Sequence, residues 1–242
     1  MAPRILLLSS STVSGGGYLD YAEPELRDFL GRTPKVVFVP YALHEQESYT
    51  ARVRARLAPV GYEVEGLAAN SSAAVVVARA DAIFVGGGNT FRLLKALYDF
   101  DLLDAIRSRV AAGVPYVGSS AGSNVAGPTI RTTNDMPIVQ PPSFNALDLV
   151  PFQINPHYLD PGPGSTHMGE TREERIQQFL EENDTPVLGL REGAWVRVEG
   201  QRCTLGGFAG ARWFRRAAIP DELISGATLA LPSAAWRKSS GG

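Results

Sequence analysis

The chain reads as a doubly wound α/β fold on a mostly parallel sheet, one domain expected over residues 1–242. Three observations predict this. Short β-branched or leucine-rich runs alternate with amphipathic stretches through the first half. The apolar run Val114-Pro115-Tyr116-Val117 leads into Gly118-Ser119-Ser120-Ala121-Gly122, then into small residues that suit a helix start. A second apolar run, Ala82–Val85, leads into Gly86-Gly87-Gly88-Asn89-Thr90, again a strand end followed by a helix start. In doubly wound sheets ligands sit outside the carboxyl ends of the strands, and both glycine turns lie at such ends.

In chain order, Ile5–Leu8 predicts a strand and Glu23–Leu30 a helix. Lys35–Val39 is strand, Glu45–Leu57 helix, Tyr62–Leu67 strand and Ala73–Arg79 a short helix. After the strand Ala82–Val85 come helices over Thr90–Leu97 and Leu102–Ala112, then the strand Val114–Val117. The texture then changes. Thr129–Gly169 is rich in Pro, Asn, Asp and Gly, which suggests long loops around a site. Arg172–Glu182 predicts a helix opened by a Thr171…Glu174 capping box. Pro186–Leu190, Ala194–Glu199, Arg202–Leu205 and Ala211–Phe214 predict short strands, with Gly200-Gln201 closing a hairpin. The tail Ser239–Gly242 is expected to be mobile.

Composition narrows the function classes. The chain is 242 residues long and 44% hydrophobic, enough for a sizeable core. A net charge of −2 gives no broad basic surface, which argues against nucleic acid and anionic membrane as partners. Cys203 is the one cysteine, so no internal disulfide forms and a reducing compartment is expected. The first apolar run, Ile5–Leu8, is too short for a signal peptide or a membrane span. A soluble, cytoplasmic monomer or homodimer is the expectation.

A strand, a Gly-x-Ser-x-Gly turn and a helix start make the layout of a nucleophile elbow, and the frame picks Ser120 as its central residue. A serine nucleophile needs a base, the base needs an orienting carboxylate, and the oxyanion needs donors. The three histidines are His44 after a strand end, His157 in Ile154-Asn155-Pro156-His157-Tyr158, and His167 in a Gly/Pro/Ser-rich loop. Any of them also suits a surface or structural role. His157 is favoured, because Pro156 stiffens its approach and the preceding residues can pack. Two carboxylates compete for the orienting role: Glu192, just beyond Pro186–Leu190, and Asp135 in the polar strip Arg131-Thr132-Thr133-Asn134-Asp135. Their plain alternatives are a turn residue and an Asx-turn.

Gly86–Gly88 reads in three ways. It suits a phosphate cradle before a helix, although it has neither a P-loop ending nor dinucleotide spacing. It suits half of an oxyanion hole, with the Ala121 N–H as the other half. It also suits a tight turn in which Asn89 or Thr90 caps the helix. Arg172 stands in a helix's first turn, where the macrodipole disfavours a cation by about 0.3–1 kcal/mol. That small cost permits drift, or a guanidinium facing an anionic group.

Five motifs together carry a family resemblance. They are Gly-Gly-Gly-Asn-Thr-Phe at 86–91, Gly-Ser-Ser-Ala-Gly at 118–122, Thr-Ile-Arg-Thr-Thr-Asn-Asp-Met-Pro-Ile-Val at 129–139, Gln-Ile-Asn-Pro-His at 153–157 and Gly-Glu-Thr-Arg-Glu at 169–173. In these the chain resembles the peptidase E family of serine peptidases, the aspartyl dipeptidases, from the first strand to about Gly207. The resemblance implies a flavodoxin-like fold similar to class I glutamine amidotransferases. It implies hydrolysis of dipeptides with N-terminal aspartate, with no metal and no cofactor. The family nucleophile maps onto Ser120 and the base onto His157. The third member maps onto either Asp135 or Glu192; Glu192 is favoured by its strand-end position, leaving Asp135 to receive the substrate α-ammonium. Oxyanion donors are then Gly88 and Ala121, with Asn89, Arg131 and Arg172 binding substrate and Arg172 preferred for the aspartate side chain.

Three rivals remain at this stage. A cyanophycinase-like peptidase would release β-aspartyl-arginine from the same fold. A glutamine amidotransferase would need cysteine where Ser120 stands. A small-molecule binding module would keep the fold without chemistry.

Overall fold

The computed structural model describes residues 2–33, 35–160, 162 and 169–230. Five strands form a parallel array: β1 (Arg4–Leu8), β2 (Lys35–Val39), β3 (Glu63–Gly66), β4 (Ala82–Val85) and β5 (Tyr116–Ser119). Helices α1 (Glu23–Leu30), α2 (Gln46–Leu57), α3 (Ala73–Ala78), α4 (Thr90–Asp99) and α5 (Leu102–Ala111) connect them, and a short α6 (Ala121–Asn124) follows β5. Both faces of the array are covered. Ile5 and Leu7 pack on one side with α3, α4 and α5 through Val77, Leu93 and Ile106. Leu6 and Leu8 pack on the other with α1 and α2 through Phe29 and Val53. Alternate residues of a strand face opposite sides, so four consecutive apolar residues in β1 can all be buried only in a sheet layered on both faces.

The second half divides between two sheets, a partition that the strand pattern did not reveal. β8 (Ala194–Glu199), β9 (Arg202–Gly207) and β12 (Thr228–Leu229) extend the first sheet antiparallel beyond β1, giving the order β12-β9-β8-β1-β5-β4-β2-β3. The register Glu199↔Arg202 leaves Gly200-Gln201 as the two-residue turn of the expected hairpin. The other strands, β6 (Gln153–Pro156), β7 (Val187–Leu190), β10 (Ala211–Phe214) and β11 (Asp221–Leu223), form a separate sheet in the order β11-β10-β7-β6. Ile154, Leu188 and Leu190 of this sheet join the core that covers Ile5 and Leu7. α7 (Arg172–Glu182) packs on its other side through Ile176 and Leu180, beside Tyr158 and Phe214.

Several boundaries are informative. β5 runs two residues later than the apolar pattern suggests, to Ser119, since its pairing with β1 starts at Tyr116 and continues through Leu8↔Ser119. The capping box of α7 forms as expected: Thr171 Oγ1 accepts from the Glu174 N–H at 3.1 Å and Glu174 Oε2 accepts from the Thr171 N–H at 2.6 Å. Between α6 and β6 the described chain holds no named strand, only a bridge between Thr129 and Asn145. No helix among the described residues is long and apolar enough to cross a membrane.

The registers align the strand exits. Leu8 pairs with Ser119 and Val85 with Gly118, so Ser9, Gly86 and Ser120 leave neighbouring strands at one edge. In the small sheet Pro156 pairs with Leu190 in parallel, so His157 and Arg191-Glu192 leave side by side.

Candidate active site

Ser120 sits directly after β5 with φ 53 and ψ −109, a conformation costing a non-glycine residue roughly 1–3 kcal/mol. The surroundings hold it there. Its N–H donates to the Leu8 carbonyl at 3.0 Å, and its carbonyl accepts from the Ser123 and Asn124 N–H groups at 2.9 Å. Close crossing of the turn over β4 requires glycine: a Cβ on Gly122 would lie 2.1 Å from the Val85 carbonyl oxygen. On the facing turn, a Cβ on Gly87 would lie 3.0 Å from Ser120 Cβ. The two glycine runs therefore meet at Ser120.

His157, immediately after β6, is also at φ 53. Its Nε2 lies 2.8 Å from Ser120 Oγ, and its Nδ1 lies 2.6 Å from Glu192 Oε1. The imidazole and the carboxylate are both partly open to solvent, with 38% and 48% of their side chains exposed. At that exposure the pair adds little stability, so its consequence is orientation of the ring. The cation beside Glu192 is engaged elsewhere: Arg191 donates to Asp160 at 2.7 and 2.8 Å and to Glu222 at 2.6 and 2.9 Å. These hydrogen bonds hold the Arg191 guanidinium well above its ordinary pKa. Burial pushes the nearby Tyr21 hydroxyl up to about 12, with the charge of Glu192 acting in the same direction. Tyr21 donates that proton to the Ser10 carbonyl at 2.8 Å.

Asp135 takes a different place. Its Oδ2 accepts from the Thr90 N–H at 2.7 Å and from Thr133 Oγ1 at 3.2 Å, at the positive end of α4. It makes no hydrogen bond to His157, so the sequence alternative that set Asp135 behind the histidine is not the arrangement found. Its other oxygen, Oδ1, has no protein donor among the described residues. A polar lattice ties the Asp135 segment to β6. Thr132 Oγ1 donates to the Ile154 carbonyl at 2.9 Å, Asn134 Nδ2 to the Pro156 carbonyl at 2.8 Å and Asn155 Nδ2 to the Thr132 carbonyl at 2.8 Å.

Asn89 caps α4, its Oδ1 accepting from the Arg92 N–H at 3.0 Å, while its Nδ2 donates to the Met136 carbonyl at 2.9 Å. Its side chain thus joins the two segments that carry Gly88 and Asp135. The Gly88 and Ala121 N–H groups donate to no protein acceptor among the described residues. Gly88 is at φ +136, where glycine is favoured. Arg172, at the start of α7, is partly buried; that burial, followed by the charge of Arg175, lowers its pKa, and Asp135 opposes the shift. Among the described residues it forms no ion pair. Arg131 is exposed. His44 is a surface residue beside Glu45 at 2.8 Å, and His167 lies outside the described residues.

Sequence reasoning missed two residues. Tyr49 Oη accepts from the Gly87 N–H at 2.9 Å, which anchors the glycine turn. Its helical position carries no signal of this, since an aromatic residue on α2 reads as core. Ser9 Oγ accepts from the His157 N–H at 2.9 Å. The polar run Ser9-Ser10-Ser11 at the carboxyl end of an apolar strand was a usable signal.

A doubly wound sheet that holds a serine in a strained turn, hydrogen-bonded through histidine to a carboxylate, defines an α/β enzyme of the serine hydrolase class. The model of peptidase family S51 matches residues 5–206, and the chain belongs to that family. A Streptomyces coelicolor protein named Peptidase E is 58% identical over 226 residues, covering 93% of each chain. A Drosophila melanogaster protein named "Probable alpha-aspartyl dipeptidase" is 53% identical over 225 residues, covering 92% of this chain and 94% of its own. The crystal structure of a peptidase from an acI-B1 Actinobacterium aligns at a TM-score of 0.70 and 17% identity over 96% of this chain and 98% of that one, a likeness of fold.

Proposed function

We propose that this protein is a serine dipeptidase that hydrolyses dipeptides with an N-terminal aspartate through an acyl-enzyme. The observation that carries the reading is the unbroken row Glu192 Oε1, His157, Ser120 Oγ, with contacts of 2.6 and 2.8 Å. Membership of a serine peptidase family and the names of close relatives supply the substrate class.

Ser120 Oγ attacks the peptide carbonyl as His157 Nε2 takes its proton. Glu192 accepts from Nδ1–H, fixes the tautomer and stabilises the imidazolium. The Gly88 and Ala121 N–H groups, which have no protein acceptor among the described residues, receive the oxyanion. His157 then gives its proton to the leaving amine, and water, activated by the same imidazole, releases aspartate and frees Ser120.

Recognition divides between two charges. The α-ammonium docks on Asp135 Oδ1, which faces no protein donor among the described residues. The substrate's side-chain carboxylate docks on Arg172, whose fork matches a carboxylate in two parallel hydrogen bonds. Arg131 stands further out as an accessory cation, and Asn89 sets the spacing between oxyanion turn and ammonium site. Without the carboxylate, Arg172 would be desolvated and unpaired, so neutral residues are rejected.

A panel of Asp-Leu, Asn-Leu, Glu-Leu and β-Asp-Arg tests the reading. Asp-Leu is expected to turn over well ahead of the others, and Ser120→Ala to lower that rate on the order of 10⁴–10⁶-fold. Retained turnover in Ser120→Ala removes the nucleophile assignment; preference for β-Asp-Arg moves the protein to a cyanophycinase-like activity.

A further inference from the structure

We infer that Ser9 is a positioning residue for the reaction: its buried hydroxyl fixes the backbone of His157 so that the imidazole meets Ser120. This rests on the reading of His157 as the base.

Ser9 follows β1 and is fully buried. Its own main chain is fixed, because its N–H donates to the Ala194 carbonyl at 3.1 Å. Its Oγ–H donates to the Leu190 carbonyl at 2.7 Å, which turns the oxygen lone pairs toward the His157 N–H, 2.9 Å away. The hydroxyl therefore has one fixed rotor direction, and burial keeps water from competing for it.

His157 needs such a holder. At φ 53 it lies just past the last pair of the ladder, Pro156 with Leu190, and the next residue bonds back, the Tyr158 N–H donating to the Leu190 carbonyl at 3.1 Å. The His157 N–H is turned away from the small sheet and finds its acceptor in the Ser9 hydroxyl, one residue beyond β1 of the large one. Strained positions of this kind persist only when their surroundings over-determine them.

The same strand end reaches the other reacting groups. The Leu8 carbonyl, one residue before Ser9, accepts from the Ser120 N–H at 3.0 Å. Leu190, which Ser9 holds, stands two residues before Glu192. Leu8-Ser9 thus sets the distance between a serine carried by the large sheet and a histidine and carboxylate carried by the small one. A shift of His157 by about 1 Å would lower the rate on the order of 10²-fold without touching the substrate contacts.

The test compares Ser9→Ala and Ser9→Thr with the unaltered protein, each titrated to completion with a serine-directed phosphonate so that rates are per folded site. Ser9→Ala is expected to lose about 10²-fold in kcat for Asp-Leu with KM unchanged, and Ser9→Thr, which keeps the oxygen, to recover most of it. A Ser9→Ala protein with fewer titratable sites or a lower Tm but unaltered kcat per site overturns the inference, because the hydroxyl would then serve folding alone. If Ser9→Thr does not fold, kcat per site of Ser9→Ala decides by itself. Failure of the underlying reading looks different: the unaltered protein would neither label at Ser120 nor turn over Asp-Leu.

Discussion

The large sheet and the small sheet supply unlike halves of the site. The large one carries Ser120 and the glycine turn, held mostly by close backbone contacts: the Ser123 and Asn124 N–H groups donate to the Ser120 carbonyl, the Ser120 N–H donates to the Leu8 carbonyl, and Gly122 lies against Val85. The small one carries His157 and Glu192, which follow different strands and reach the large sheet through side-chain hydrogen bonds, to Ser120 directly and to Ser9 beside it. A half built from close backbone contacts is stiff and tolerates little change in shape. A half attached through side chains can be weakened one contact at a time.

Mutation can break or sharpen that contrast. The largest effect is expected from Gly122→Ala, which forces a Cβ to 2.1 Å from a backbone oxygen that cannot move freely. Ordinary overpacking costs about 1–3 kcal/mol; a clash this close with backbone exceeds that range, and thermal melting should show loss of folded protein. If the variant melts like the parent, the elbow is less rigid than its contacts indicate.

Glu192→Gln keeps shape while removing the charge that orients and stabilises the imidazolium. It should lower kcat for Asp-Leu about 10²–10⁴-fold with KM little changed. Asp135→Asn should show the opposite split, raising KM about 10-fold or more, since it weakens ground-state docking of the ammonium. Steady-state kinetics of the pair decide between the two carboxylates; exchanged signatures would assign Asp135 to the chemistry.

Arg172→Met should reduce the preference for Asp-Leu over Asn-Leu by about 1.5–3 kcal/mol, the range for a hydrogen bond to a charged group. An unchanged ratio of kcat/KM values removes Arg172 from recognition and directs attention to Arg131. The smallest effect on catalysis belongs to Tyr49→Phe. It leaves the buried Gly87 N–H without its acceptor, at a cost of about 1–3 kcal/mol in stability. Activity should fall only several-fold, since Gly87 supports the oxyanion turn and is not itself a donor to substrate. Urea unfolding and kcat for Asp-Leu measure the two parts.

The legibility of the chain divided by separation in sequence. Strands such as Ile5–Leu8 and Lys35–Val39 were readable because a core covered on both faces demands consecutive apolar residues. Thr171…Glu174 was readable because a capping box is a local pattern of hydrogen bonds. The short β11 and β12 were not anticipated, whereas β7 to β10 were visible as strands, yet with apolar residues that satisfy either sheet equally well. The allotment of β7 and β10 to the small sheet and of β8 and β9 to the large one depends on pairing between residues far apart in the chain. Tyr49 escaped notice because its ring packs as core while its hydroxyl alone serves the site.

The sequence by itself determined the doubly wound half, the Gly-x-Ser-x-Gly turn with Ser120 at its centre, and the small set of histidines and carboxylates able to partner it. These depend on neighbours within a few residues, where periodicity and glycine placement act directly. Only the tertiary structure decided which carboxylate meets His157. Asp135 is 22 residues from the histidine in sequence and Glu192 is 35, and neither separation is informative. The parallel register Pro156↔Leu190 brings the exits of β6 and β7 together, at a strand spacing of about 4.8 Å, and so delivers Glu192 to Nδ1. Asp135 is drawn instead to the free N–H at the start of α4, whose dipole favours a negative charge there.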